Sequence, residues 1–239
     1  MVPRLRVLAI TTALTAGVAC TPEPVTDDGD AISGLYDFFF TVAVVIFVLV
    51  AGLIAWNILR YRAEEDDDEL PSQFHTNVPL EILWFAIPTA IVIVLFVLSV
   101  GVLNDVNEED DSGVTVDVEG FQWGWTFTYE EGFSLESLPE QPIEVRLPVG
   151  EPITFNLVSP DVVHSFYVPR FLLKRDVVPG QENRIDLTID EPGLYRAVCA
   201  EFCGLLHHRM IVFIRAVEPE RYERWIERNA EEAGVDVDG

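Results

Sequence analysis

The chain has 239 residues, 49% of them hydrophobic and 23% charged, with 40 acidic side chains against 15 basic ones. A net charge of −25 excludes the basic surface that recognition of a nucleic-acid backbone requires. A positive mean hydropathy in so acidic a chain means that apolar and charged residues are segregated along it.

The N-terminal segment shows this first. Arg4 and Arg6 precede an apolar run from Val7 to Ala19 that is too short to span a bilayer, so residues 1–20 read as a signal peptide. Gly17-Val18-Ala19-Cys20 resembles a lipoprotein processing site with lipid carried on Cys20; the alternative is a plain cleaved signal and an unmodified or absent cysteine. Residues 38–59 and 82–104 contain no charge, and both reach the roughly 20 residues that cross a hydrocarbon core. They predict a transmembrane hairpin over 35–104, with spans at about 36–60 and 80–104; Gly52 and Pro88 are tolerated in such helices. Arg60 and Arg62 follow the first span directly, whereas no basic residue lies between Arg6 and that span. The segment from Arg60 to Pro79 is therefore placed on the cytoplasmic side of the cell membrane, and everything after Asn104 on the external side. The acidic run Glu64–Glu69 contributes little to that rule.

Residues 105–239 carry 28 acidic and 11 basic side chains, a net charge of −17, and Lys174 is the single lysine of the chain. Dense carboxylates with almost no lysine point to a salt-adapted, halophilic protein, because self-repulsion is screened where the Debye length falls to about 3 Å at 1 M salt. The alternative is a docking field for a basic partner. Alternation in Val114–Val118, Ile143–Leu147, Ile185–Ile189 and Met210–Ile214 predicts strands with one wet face, separated by turns at Pro179-Gly180 and Pro192-Gly193. Such strands over 113–217 imply an all-β Greek-key barrel or sandwich. Tyr222, Trp225 and Ile226 at helical spacing predict a C-terminal helix from Glu218, ending in an acidic tail within 218–239.

The chemistry is concentrated in Cys199-Ala-Glu201-Phe-Cys203-Gly-Leu-Leu-His207-His208-Arg-Met210. The whole chain has 3 cysteines, 4 histidines and 2 methionines, so this clustering is selective. Thiolate, thioether and imidazole together are the donors copper prefers. Two thiolates four residues apart can bridge two ions, leaving one imidazole for each; His164, after the strand-like run Ile153–Val158, supplies the second better than His75 between the spans. A short Cys199–Cys203 disulfide, a mononuclear copper site and a zinc site are the alternatives. The disulfide leaves His207 and Met210 unexplained, the mononuclear site leaves Cys199 idle, and zinc has no use for Met210.

His164 … Cys199-x-Glu201-x-Cys203-x3-His207-x2-Met210 resembles the dinuclear copper A centre of subunit II of haem-copper oxidases, the cytochrome c oxidase subunit II family. The resemblance covers residues ~35–217 and implies a cupredoxin fold after a two-helix transmembrane hairpin. It implies that one copper takes His164 and Met210, and the other His207 and the Glu201 carbonyl; the family spacing selects His207 over His208. It also implies a magnesium ion reached by the Glu201 carboxylate at the boundary with subunit I. Gly120-Phe-Gln-Trp123-Gly-Trp125 is similar to the family's aromatic segment, which makes Trp123 the electron entry. Phe121 and Gly124 depart from the family pattern there, leaving the donor open between cytochrome c and a small blue-copper protein. Leu80-Glu81-Ile-Leu-Trp84-x3-Pro88 resembles the start of the family's second helix and places Glu81 at a proton-pathway entrance. The expected function is to pass electrons from an external donor through copper A to haem in the catalytic subunit, where oxygen is reduced to water. Rival functions are the copper subunit of a membrane nitric oxide reductase and a membrane-anchored copper-delivery protein.

Overall fold

The computed structural model describes residues 22–62, 73, 75–110 and 112–235. The expected signal peptide, Cys20, the acidic run 64–69 and the last four residues of the tail lie outside the described residues. Two compact units divide at Gly34 and Val102, one holding 34–102 and the other the segments on either side.

Helix α1 (Asp27–Arg60, 34 residues) and helix α2 (Val78–Val106, 29 residues) contain the two charge-free runs. At about 1.5 Å per residue both exceed a hydrocarbon core of about 30 Å. In neither helix does the protein bury any of the most apolar stretch, the condition of a helix that faces lipid. α1 begins earlier than its apolar run predicts. Thr26 caps it by accepting the Gly29 N–H at 3.0 Å, and Asp27, Asp28 and Asp30 lie in the first turn, where the helix dipole favours carboxylates. In α2, Asn77 Oδ1 accepts the Leu80 N–H at 3.3 Å while Glu81 accepts the Asn77 N–H at 3.1 Å, a reciprocal capping box.

The other unit is a β-sandwich. Its strands are β1 (Val114–Phe121), β2 (Gly124–Tyr129), β3 (Ser134–Ser137), β4 (Glu144–Pro148), β5 (Pro152–Val158), β6 (His164–Val168), β7 (Leu173–Val177), β8 (Asn183–Thr188), β9 (Gly193–Cys199) and β10 (Ile211–Val217). They form two five-stranded sheets ordered β3-β2-β1-β5-β8 and β4-β10-β9-β6-β7. This is the cupredoxin-type architecture expected. Inward residues of both sheets make one core, in which Trp125, Phe127, Phe155, Phe166 and Ile214 are at most 1% exposed. Helix α3 (Pro219–Ala233) follows β10 and lays Tyr222, Trp225 and Ile226 on this core. Trp225 packs edge-on to Tyr129, with ring centroids 5.3 Å apart.

Strand alternation would put Trp123 and Trp125, two residues apart, on one face, and the structure corrects that expectation. Trp123 and Trp125 do not share a strand face, because Phe121 pairs with Gly124 across the ladder and the chain reverses at Gln122-Trp123. So tight a reversal needs a small residue. A Cβ on Gly124 would lie 2.6 Å from the Phe121 ring and 2.7 Å from the Ser137 carbonyl oxygen. Trp125 therefore points into the core from β2, whereas Trp123 sits in the turn, half-buried.

Candidate metal centre

β9 and β10 are antiparallel neighbours with Val198 opposite Ile211, so the loop between them is held at both ends by the same sheet. Cys199 closes β9, and its N–H donates to the Met210 carbonyl at 3.1 Å, which cinches the base of the loop. β6 lies on the other side of β9, with Phe166 opposite Cys199. That register brings His164, the first residue of β6, beside the loop.

The donors converge. Cys199 Sγ is 3.8 Å from Cys203 Sγ, 3.9 Å from His164 Nδ1 and 3.2 Å from the Glu201 carbonyl oxygen. Cys203 Sγ is 3.6 Å from His207 Nδ1 and 3.8 Å from Met210 Sδ. The donor atoms of His164, Cys199 and Cys203 all lie within 4.8 Å of one another. Both cysteines are free and buried, Met210 is 1% exposed and His164 fully enclosed. Every residue named as a ligand from the sequence is thus gathered about two sulfurs, while His208 is exposed.

The electrostatics suit a cation. Burial resists ionisation of either thiol, yet hydrogen bonds from His164 and the main chain at Ser165 and Glu201 bring Cys199 down to about 6. Burial, reinforced by the Cys199 charge, pushes Cys203 up to about 12. Two thiolates in contact cannot both ionise in a dry site unless positive charge arrives with them. His164 Nε2 is paired with Asp161 Oδ1 at 2.9 Å; with the proton on Nε2 the lone pair of Nδ1 faces the sulfurs. Burial resists the Asp161 charge, but hydrogen bonds from His164, Val162 and Gln122 outweigh it and hold the carboxyl below its usual range.

Around the sulfurs lies a supporting shell in which Asp161, Gln122 and Gly204 were not singled out by the sequence. Asp161 Oδ2 accepts the Gln122 N–H at 2.7 Å, so one carboxylate grips both the His164 ring and the β1–β2 turn. The Cys203 carbonyl accepts two side-chain donors from that turn, Gln122 Nε2 at 2.6 Å and Trp123 Nε1 at 3.2 Å. Gly204 makes room for them, because with φ +122° it takes a backbone angle that L side chains rarely adopt, and a Cβ there would lie 3.1 Å from the Trp123 ring. Trp123 is therefore docked on the loop and only partly exposed. The Glu201 carboxylate pairs with Lys174 Nζ at 2.9 Å. Phe202 and Leu205, 81% and 79% exposed, give the loop an apolar tip. Glu81 lies in the first turn of α2, in the other unit.

Comparison with known proteins gives this site a family. Residues 114–217 match the model of the cytochrome c oxidase subunit II periplasmic domain, and residues 17–102 match its transmembrane domain. Cytochrome c oxidase subunit 2 of Synechocystis is 30% identical, with 87% of this chain covering 75% of that protein. The probable subunit 2 of Streptomyces avermitilis is 33% identical over 85% of this chain and 76% of its own. That of Alkalihalophilus pseudofirmus is 37% identical over 78% of this chain and 54% of its own. The chain belongs to the cytochrome c oxidase subunit II family and is a membrane-anchored electron-transfer subunit of an oxidase.

Proposed function

We propose that this subunit holds a dinuclear copper A centre in the sandwich and takes electrons from an external donor at Trp123. The observation that carries the reading is the pair of buried sulfurs 3.8 Å apart, flanked by two imidazole Nδ1 atoms and a thioether. That donor set fits copper and leaves no ligand idle; zinc would have no use for Met210. His164, Cys199, Glu201 through its carbonyl, Cys203, His207 and Met210 are the residues that would hold the metal. When bound, copper would supply a one-electron redox couple at these donors.

The chain's own residues make that couple fast by staying still. β9 and β10 fix the ends of the loop, and Asp161 fixes the His164 ring. Held this way, the donors need little rearrangement when charge changes. Phe202 and Leu205 offer an apolar contact for a partner such as the haem-bearing subunit I. The Glu201 carboxylate is available to a magnesium ion at that boundary once Lys174 is displaced. In this reading residues 1–20 are a signal peptide with Cys20 lipidated, 35–104 the hairpin in the cell membrane, 113–217 the external copper domain, and 218–239 its C-terminal helix and tail. Glu81 stands at a proton entrance.

Copper loading of the purified full-length chain is expected to give two coppers per protein and a mixed-valence signal with hyperfine splitting from both nuclei. One copper per chain with a single-copper pattern would overturn the reading. A second measurement tests salt adaptation. With −17 on residues 105–239, the melting temperature of that region is expected to rise steadily into molar salt, past the range where a Debye length of about 3 Å leaves little to screen. A melting temperature that does not change between dilute buffer and molar salt would refute adaptation and favour a docking field.

A further inference from the structure

We infer that Gln122 is the positioning residue of electron entry: it clamps the β1–β2 turn between the two metal-binding segments and so holds the Trp123 indole on the Cys203 carbonyl. The inference rests on the copper A reading and on Trp123 as the entry point, and it adds a residue and a mechanism to both. Gln122 is solvent-exposed, and an exposed glutamine in a two-residue turn has no packing duty. Yet its main-chain N–H and its side-chain amide are committed to different segments of the centre. Its main-chain N–H donates to Asp161 Oδ2 at 2.7 Å, and the other oxygen of that carboxylate is paired with His164 Nε2 at 2.9 Å. Its side-chain amide donates to the Cys203 carbonyl at 2.6 Å, the oxygen that Trp123 Nε1 also reaches at 3.2 Å.

These contacts close two loops through space. One runs from the turn through Asp161 to the His164 imidazole; the other runs from the turn directly to the backbone of a cysteine whose sulfur touches three other donors. Gly204 completes the seat, since a Cβ there would also lie 3.2 Å from Gln122 Nε2. A carbonyl oxygen has two lone pairs, and here both are taken by the turn. The Trp123 bond alone, at 3.2 Å, is near the long end for an N–H donor, whereas the Gln122 bond is short. Gln122 is therefore the tighter tether, and the indole is held largely because its neighbour is.

The test uses the full chain in its assembled oxidase, with tris(bipyridine)ruthenium(II) as a cationic photoreductant in place of the natural donor. On excitation one electron leaves the ruthenium(II) ion, which becomes ruthenium(III), and reduces the copper pair. Gln122→Leu removes the donor and keeps an apolar stem. It is expected to retain two coppers and the mixed-valence signal while slowing electron entry about threefold to tenfold, the range set by one neutral hydrogen bond withdrawn from an ordering equilibrium. Gln122→Glu keeps length and planarity but turns an oxygen toward the carbonyl, and it is expected to slow entry more. The added negative charge would draw the cationic probe closer, so slower entry in that variant cannot come from weaker encounter. Entry as fast as in the wild type in both variants, with copper fully loaded, would overturn the inference. Loss of the mixed-valence signal in Gln122→Leu would overturn it too, making Gln122 a support of the metal loop. Trp123→Phe in the same apparatus separates the two levels. If it slows entry and the Gln122 variants do not, only the clamp fails; if it does not slow entry, the reading of Trp123 fails first.

Discussion

Cys203→Ser is expected to abolish the mixed-valence signal and to reduce bound copper below two per chain. Cys203 Sγ touches the other sulfur, the His207 ring and the Met210 thioether, at 3.8, 3.6 and 3.8 Å. A serine hydroxyl is a harder donor and does not ionise near neutral pH, so it neither bridges two coppers nor supplies the charge that offsets them. The loss in affinity should exceed the roughly 100-fold that a metal site loses with one supporting hydrogen bond. Cys199→Ser should also abolish the shared signal, but with a different remainder. It leaves Cys203, His207 and Met210 together, a one-cysteine, one-histidine, one-methionine set that still suits a single copper. Cys203→Ser leaves only Cys199 with His164 and the Glu201 carbonyl. Metal analysis of the two variants side by side should therefore find more residual copper in Cys199→Ser. Two coppers and an undisturbed spectrum in either variant would exclude sulfur bridging.

The sulfur, imidazole and thioether donors were legible in the chain because four of them occupy one contiguous loop and their residue types are scarce elsewhere. His164 was legible because only four histidines exist and the position of a strand told them apart. What supports those donors was not legible. Gln122 meets Asp161 across 39 residues, and Trp123 meets Cys203 across 80. No periodicity marks such pairs; they exist because β1 and β2 turn back beside the mouth of the β9–β10 loop. Asp161 three residues before a metal-competent histidine was the one available hint, since a ligating imidazole needs an acceptor for its second nitrogen. The reversal at Gln122-Trp123 was concealed by a run of aromatics that reads as strand, with Gly124 as the only sign of a turn. β7 was missed for a related reason: Leu173-Lys-Arg-Asp-Val177 carries three charges in a row, which hides the alternation that pairing with β6 imposes. The early start of α1 was hidden because its cap, Thr26, lies upstream of the apolar run that signals the helix.

Trp123→Phe is expected to leave the copper spectrum intact and to slow electron input by about tenfold or more, equivalent to about 1.4 kcal/mol of effective barrier. The spectrum survives because Trp123 offers no ligand atom and the Cys203 carbonyl keeps its bond from Gln122. The cost to folding should stay near the 0.5–1.5 kcal/mol of one neutral hydrogen bond, since a phenyl ring fills most of the indole's place. Electron input suffers because Trp123 Nε1–H, 3.2 Å from the Cys203 carbonyl oxygen, joins the half-buried indole by one hydrogen bond to the backbone of a cysteine of the proposed centre. A phenyl group has no such donor, so the electron must cross a gap instead of a hydrogen bond. Trp125→Phe is the control. Trp125 is buried in the core from the opposite side of the turn, with its ring centroid 5.4 Å from Phe166 and 6.2 Å from His164. Among the described residues its Nε1–H has no hydrogen-bond partner, so phenylalanine forfeits packing only, at a cost of about 1–2 kcal/mol from the cavity left behind. That variant should melt earlier and take up electrons at the wild-type rate. Equal input rates for wild type and Trp123→Phe, with copper fully loaded in both, would show that electrons enter elsewhere and that the docked indole serves only to hold the loop.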